Sequence, residues 1–279
     1  MDADISRQDP PDAESQPVAI SPQISSNSKE TYKYQYSPLK IQSHFRLIAF
    51  PREEQVDPRA ERLNCELAHF SLDDTAPRYR ALSYEWGIPS DKDPRIWING
   101  MPHIIRKNLF CAMLELHSGQ RGKTKYGTPY WIWIDALCIN QEDLLERNEQ
   151  VSMMGRIYGS AESVIIWLGV AKDDSDIIMD ILGENHDPQL MHRLSHEEKK
   201  DALSLWLQRP YWNRIWIVQE IQRGRELEIL CGNKAISWGQ LINPKALRSM
   251  TGAYSWVWLS KAYSGNKRES IRRMLPGLR

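Results

Sequence analysis

Residues 130–169 read YWIWIDALCINQEDLLERNEQVSMMGRIYGSAESVIIWLG, and this single block predicts a strand, a helix and a second strand. Residues 130–139 are aromatic, β-branched or apolar almost throughout, which is typical of a strand buried on both faces. Asp135 is the one charge within it. Residues 163–168 form a second apolar run, closed by Gly169. Because a helix joins the two strands, we expect them to lie parallel, with a right-handed crossover, in an α/β domain.

The helix of this block is predicted from its start signal and its periodicity. Residues 140–143 offer an N-cap and an acidic first turn, which suits the positive end of the helix dipole. Apolar side chains then recur at intervals of three, four or seven residues, at Leu144, Val151, Met154, Ile157, Tyr158 and Ala161. We expect this apolar stripe to be buried, and the charged residues Glu146, Arg147, Glu149 and Arg156 to lie mainly elsewhere on the helix.

The flanking sequence adds strands on the amino-terminal side of the block. Two runs predict a hairpin, a third predicts a strand that stops at Gly87, and the Asn-Gly pair at 99–100 predicts a tight turn before a helix. These runs are residues 44–50, 63–72, 79–86 and 107–117. The predicted fold class is therefore α/β, with a parallel sheet flanked by helices and an added N-terminal β-hairpin region.

The amino-acid composition limits the classes of partner and the cell compartment that we expect. Lys+Arg and Asp+Glu both number 36, so the chain has no formal net charge. We therefore expect no nucleic-acid partner. The four cysteines form no CxxC pair, which favours a reduced, cytoplasmic location. No apolar stretch is long enough for membrane insertion, and the seven histidines show no ligand spacing. We expect neither a metal nor a prosthetic group.

Three regions are expected along the chain. Residues 1–34 are rich in Ser, Asp, Pro and Gln and predict a disordered tail. Residues 35–240 carry the strand and helix patterns of one domain. Residues 241–279 form a short, basic extension that ends abruptly, as in a short family member or a truncated gene product.

The segment 209–233 places a carboxylate among tryptophans. Pro210 can open a helix, and Trp212, Trp216 and Glu220 are then spaced by four residues. We therefore expect one helix face to carry a glutamate beside two indoles.

Three blocks in this order resemble the fungal heterokaryon incompatibility (HET) domain. They are YRALSYEWG at 79–87, WIDALCINQEDLLERNEQVSMMGRIYGSAESVIIWLG at 133–169 and YWNRIWIVQEI at 211–221, and the resemblance extends over residues 36–233. It implies an intracellular fungal protein that triggers programmed cell death when genetically unlike cells fuse, or that acts in innate immunity. HET domains are similar in layout to Toll/interleukin-1 receptor (TIR) domains, so the resemblance implies a TIR-like, flavodoxin-like sheet.

The TIR likeness implies a reaction and a site. Residues 216–221, WIVQEI, are similar to a helix motif of enzymatic TIR domains whose glutamate is essential for NAD hydrolysis, which makes Glu220 the candidate catalytic residue. Cleavage of an N-glycosidic bond builds a cation on the ribose that a carboxylate can stabilise. The candidate residues for binding NAD, as a substrate, are Ser83, Tyr84, Trp86, Gly87, Asp135 and Trp216.

Each candidate also has a structural interpretation. Glu220 can be an ordinary helix carboxylate paired with Arg223 or Arg214. Asp135 is either buried inside a strand or exposed at the strand's carboxyl end, where parallel sheets bind ligands. The end of the strand at residues 83–86 can simply pack against its neighbours, and Cys138 is expected to be an inert buried thiol.

Two functions from different classes follow. The first is a TIR-like NAD hydrolase that causes cell death by consuming NAD. The second is a non-enzymatic module that self-associates, as a homo-oligomer, and relays a cell-death or innate-immunity signal to other signalling proteins. Exposed apolar or aromatic patches, together with a Glu220 buried in an ion pair, would favour the second.

Overall fold

The computed structural model describes residues 33–39, 43–51, 62–74, 76–118, 131–183 and 195–243. The predicted tail lies outside the described residues up to residue 32, and so does the predicted extension from residue 244 onwards. The fold is described below for the remaining residues.

A single mixed sheet organises the described part of the chain. Its nine strands there lie in the order β5-β4-β2-β1-β6-β3-β7-β8-β9. They are β1 His44–Ala49, β2 Asn64–Ser71, β3 Tyr79–Tyr84, β4 Arg95–Ile98, β5 Met101–Ile104, β6 Trp131–Trp133, β7 Ser163–Trp167, β8 Glu226–Cys231 and β9 Lys234–Ser237.

The centre of the sheet is parallel. Strands β6 and β7 both pair with β3 in parallel, and β8 pairs with β7 in parallel. The expectation that the two strands of the central block lie parallel is therefore confirmed, with β3 inserted between them. Numbered in chain order, these four strands have the order 2-1-3-4. The sheet as a whole is mixed rather than parallel, because β1 is antiparallel to β2 and β6, and β9 is antiparallel to β8.

The helices that follow the strands are mostly short. In the described part of the chain they are α1 Lys107–Ser118, α2 Asp135–Cys138, α3 Leu144–Ser160, α4 Ser175–Leu182, α5 His196–Leu207, α6 Ile217–Arg223 and α7 Trp238–Leu241, and a 3-10 helix lies at Pro210–Asn213. Within the described ranges, no helix is long and apolar enough to cross a membrane.

The predicted strand at 130–139 is wrong beyond its first residues. Strand β6 ends at Trp133, and Asp135 opens the short helix α2. A helical hydrogen bond from the Cys138 N–H to the Ile134 carbonyl, 2.7 Å long, bends the chain there. Residues on both sides of the bend are buried, and a continuous apolar run is compatible with either a buried strand or a buried helical turn.

Helix α3 begins as expected, but its buried face differs in the first half. Asp143 is the N-cap and accepts hydrogen bonds from two backbone N–H groups, which confirms the predicted start. Leu144, predicted to be buried, is 60% exposed. Glu146, predicted to face outward, is buried instead, because it forms an ion pair of 2.6 Å with the fully buried Arg46 of β1. The apolar stripe is correct only from Met154 onward.

The predicted hairpins are confirmed. β1 and β2 pair in antiparallel register, and β4 and β5 are joined by Asn99 and Gly100. Both turn residues have positive φ, 49° and 82°, which is the conformation that favours an Asn-Gly pair in a two-residue hairpin.

Candidate functional site

A cleft of about 480 Å³ lies at the carboxyl ends of β3 and β6. Ligands of α/β sheets bind at this edge, because the strand ends and the following loops converge there. Its lining includes Trp86, Gly87, Asp135, Arg147, Arg214 and Trp216. Four of the predicted site residues, Trp86, Gly87, Asp135 and Trp216, are therefore brought together in one cleft. The other three, Ser83, Tyr84 and Glu220, are buried and do not line it.

Asp135 enters the cleft from the first position of α2, just beyond the end of β6. Its Oδ2 accepts a 2.9 Å hydrogen bond from the Trp86 indole N–H, and its Oδ1 accepts one of 2.7 Å from the Ala136 backbone N–H. Burial raises the pKa of Asp135, while the Trp86 hydrogen bond and the positive charge of Arg214 act in the opposite direction. Two interpretations of Asp135 were open, and its location fits the one that places it at the carboxyl end of a strand.

The loop after β3 is shaped by Gly87. Its φ of 77° lies in the left-handed region, where a side chain is unfavourable, and its N–H donates a 3.0 Å hydrogen bond to Glu85 Oε1. The side-chain amide of Asn108, in α1, donates a hydrogen bond to the Glu85 carbonyl and so holds the loop in place. This turn carries the Trp86 indole into the cleft, where 37% of it stays exposed.

Glu220 lies in a buried polar network behind the cleft. Only 1% of it is exposed, and Arg214 donates two hydrogen bonds to it, of 3.2 Å to Oε1 and 3.3 Å to Oε2. The Ser83 hydroxyl donates to Oε2, and the Tyr211 hydroxyl lies 2.7 Å from Ser83 Oγ. Burial raises the pKa of Glu220, and Arg214 opposes that change. Both carboxylate oxygens are thus held by protein donors, as in the alternative in which Glu220 pairs with Arg214.

The predicted helix face with two indoles beside Glu220 is wrong. The 3-10 helix ends at Asn213, Arg214 has an extended backbone with φ −78° and ψ 132°, and α6 begins only at Ile217. This break separates the two indoles. Trp212 is buried against Trp206, with ring centroids 5.5 Å apart, whereas Trp216 is 50% exposed at the cleft.

Arg214 connects the cleft to the buried network. It lines the cleft, and the same guanidinium forks onto Glu220. Burial disfavours its charge, but the negative fields of Glu220 and Asp135 outweigh that cost and raise the pKa of Arg214. Tyr84, also buried, has no hydrogen-bond partner of acceptable geometry for its hydroxyl among the described residues. Burial, with Asp135 nearby, raises the pKa of Tyr84.

The sequence patterns did not identify Arg147 as a site residue, and they identified Arg214 only as a possible ion-pair partner of Glu220. Arg147 was expected away from the apolar stripe, yet it lines the cleft with Val151 and Met154. A signal was present, because these three residues are spaced by four and then three and so share one side of a helix. Arg214 gives no such local signal, since its position depends on the break before α6.

Within the described ranges, no group of three or more His, Cys, Asp or Glu side chains is placed to hold a metal ion. The Cys138 thiol is completely buried, and burial raises its pKa to about 12. A thiol in that state is a poor nucleophile, because the thiolate is the reactive form.

Comparison with known proteins identifies the family. The family described as Heterokaryon incompatibility protein (HET) matches residues 79–220, just over half of the 279 residues. The chain is also similar to Heterokaryon incompatibility protein 6, OR allele, of Neurospora crassa, with 29% identity over 206 residues that cover 58% of this chain and 30% of that protein. It thus spans less than a third of that relative's length. No solved structure matches the chain. On the extent of the family match, the chain belongs to the fungal HET family.

Proposed function

We propose that this chain acts in heterokaryon incompatibility, as a domain that signals programmed cell death in a fungus. The proposal is supported by the family match over residues 79–220 and by the similarity to a Neurospora protein named for heterokaryon incompatibility. Because the chain corresponds to 30% of that relative, the proposal concerns the signalling domain and not the activity of the whole relative.

The geometry favours a non-enzymatic domain that relays a signal over an enzyme in which Glu220 is catalytic. One observation carries this choice: Glu220 is 1% exposed, and its two oxygens accept three hydrogen bonds from Arg214 and Ser83. A carboxylate that stabilises a ribosyl cation has to contact the sugar, and this one does not line the cleft. Its position suits a structural anchor that holds Arg214 at the cleft.

A relay needs a surface for a partner, and apolar side chains are exposed at the cleft. We call Trp86, Ile215 and Trp216 the aromatic rim; both indoles line the cleft, and Ile215, which precedes Trp216, is also exposed. Exposed apolar groups clustered in this way are typical of interaction sites. In this mode the domain self-associates, or binds other cell-death signalling proteins, through the aromatic rim.

TIR-like NAD hydrolysis is the second candidate. It is supported by the 2-1-3-4 order of the parallel strands, which agrees with a flavodoxin-like sheet, and by a cleft with two indoles at the strand ends. In that reaction water bonds to the anomeric carbon of the ribose as the bond to nicotinamide breaks. Glu220 can take part only if Arg214 withdraws and the network opens toward the cleft.

Cell viability tests whether the aromatic rim is the functional centre. The chain is expressed in a fungal host beside Trp216→Ser, with Val170→Ser as a control that changes another exposed apolar residue outside the cleft. We expect death with the parent and the control, and survival with Trp216→Ser at equal protein levels. Unchanged killing by Trp216→Ser would contradict the proposal.

A further inference from the structure

Among the four charged residues that line the cleft, Arg147 is the one whose side chain has no hydrogen-bond acceptor within the described part of the chain. Asp135 accepts from Trp86 and Ala136, Glu85 accepts from the Gly87 N–H, and Arg214 donates to Glu220. Arg147 is half-buried in the cleft wall; its backbone N–H donates to the Asp143 carbonyl, but no hydrogen bond or ion pair joins its guanidinium to another of the described residues. A guanidinium in such a place offers a fork of N–H donors that matches a carboxylate or a phosphate.

The position of Arg147 on α3 adds to this preference for an anion. It lies at the amino-terminal end of the 17-residue helix, where the helix dipole is positive. The Asp143 side chain already accepts from two N–H groups of the first turn, those of Leu145 and Glu146, so we expect the Arg147 side chain to bind the anion.

Two tryptophan side chains also line the cleft. The Trp86 indole is fixed by its N–H bond of 2.9 Å to Asp135, and Trp216 is half exposed at the same cleft. Indole faces bind planar rings well, with stacking worth about 1–3 kcal/mol per nucleic-acid base. A volume of about 480 Å³ lies in the range of small-molecule sites.

We propose that the cleft is a binding site for a planar aromatic ligand that carries an anionic group. Arg147 binds the anion, and Trp216 packs against the ring. This inference rests on the proposed function, because it takes the cleft as the functional centre and names the class of ligand that occupies it. The ligand acts there as an effector of the signalling domain.

Calorimetric titration of the purified full chain tests the ligand class with three probes. AMP combines a planar ring with a phosphate, adenosine supplies the ring alone, and inorganic phosphate supplies the anion alone. We expect AMP to bind at least about tenfold more tightly than either part, because loss of one charged hydrogen bond costs about 1.5–3 kcal/mol.

Substitutions on α3 test whether Arg147 is the residue that binds the anion. Arg147→Gln is expected to weaken AMP binding by about 10-fold to 100-fold, and Arg147→Lys, which keeps the charge but loses the fork, by less. Arg156→Gln is the matched control, since Arg156 lies on the same helix but pairs with Asp73 at the surface. It should bind AMP like the parent. Thermal melting of each variant confirms that it is folded.

Three results would overturn the inference: no binding of AMP by the folded parent, equal binding of AMP and adenosine, or unchanged AMP binding by Arg147→Gln. The proposed function is tested separately by cell death. A parent that kills but does not bind AMP overturns the ligand class and leaves the function standing. A parent that binds AMP and never kills overturns the function and leaves the ligand class standing.

Discussion

Arg214→Met tests whether Glu220 is a buried anchor. In the native protein Arg214 N–H groups lie 3.2 and 3.3 Å from the two Glu220 oxygens. Two unit charges at that separation attract by about 5 kcal/mol at an effective dielectric constant of about 20. Methionine fills similar space without the charge, so Glu220 is left buried with Ser83 as its remaining side-chain donor. Protonation of Glu220 offers partial relief, and we expect a net loss of about 3 kcal/mol at pH 8.

The loss should depend on pH with a defined sign. Burial raises the pKa of Glu220, and removing Arg214 removes the main opposing effect, so the folded variant holds a proton more tightly than the unfolded chain. A group with a raised folded pKa stabilises the protein below its unfolded pKa, and this stabilisation is lost as the pH rises through the folded value. Arg214→Met should therefore be closer to the parent in stability at pH 5 than at pH 8.

Urea and thermal unfolding at both pH values measure the effect. A loss of about 3 kcal/mol corresponds to a fall in thermal midpoint of about 6–12 °C for a domain of this size. The double variant Arg214→Met with Glu220→Gln should recover most of the loss, because no unpaired charge then remains. If the Arg214→Met protein stays within about 0.5 kcal/mol of the parent at pH 8, Glu220 is not a charge that depends on Arg214 for its burial.

Three further predictions concern Arg46, Trp86 and Cys138. Arg46→Met should destabilise the fold by about 3–5 kcal/mol in urea unfolding, because it leaves Glu146 buried without its cation, and a change under about 1 kcal/mol would contradict this. Trp86→Phe should raise the pKa of Asp135 further, seen by carbon NMR of the carboxyl, since the Trp86 N–H now lowers it; an unchanged pKa would refute that contact. Cys138 should react with iodoacetamide only after unfolding, and modification in the native state, followed by mass spectrometry, would disprove its burial.

Features governed by neighbours in sequence were predicted well. The Asp143 cap of α3 and the Asn99-Gly100 turn each depend on a few adjacent residues, and both occur as expected. The parallel arrangement of β6 and β7 was also predictable, because a connecting helix requires it. The position of β3 between them was not, since nothing local in either strand specifies its neighbour.

The candidate site was predicted only in part, for a physical reason. Trp86 and Asp135 each follow a strand of the parallel part of the sheet, and the carboxyl ends of parallel strands share one edge, so the sequence could place both residues at that edge. The helix break at Arg214 separates Trp212 from Trp216 and Glu220, and the residue spacing of four did not reveal this break. The burial of Glu146 depends on Arg46, which lies 100 residues away along the chain. Periodicity carries no information about a partner so distant in sequence.

Nicotinamide release from NAD by the purified, concentrated chain, followed over time beside Glu220→Gln, decides whether Glu220 is a buried anchor or a catalytic residue. Glu149→Gln, at an exposed glutamate of α3, is the control. We expect no release by any of the three proteins, while the parent still causes death in cells. Steady release by the parent and the control, with none from a folded Glu220→Gln protein, would contradict this expectation and establish Glu220 as the catalytic carboxylate of a hydrolase.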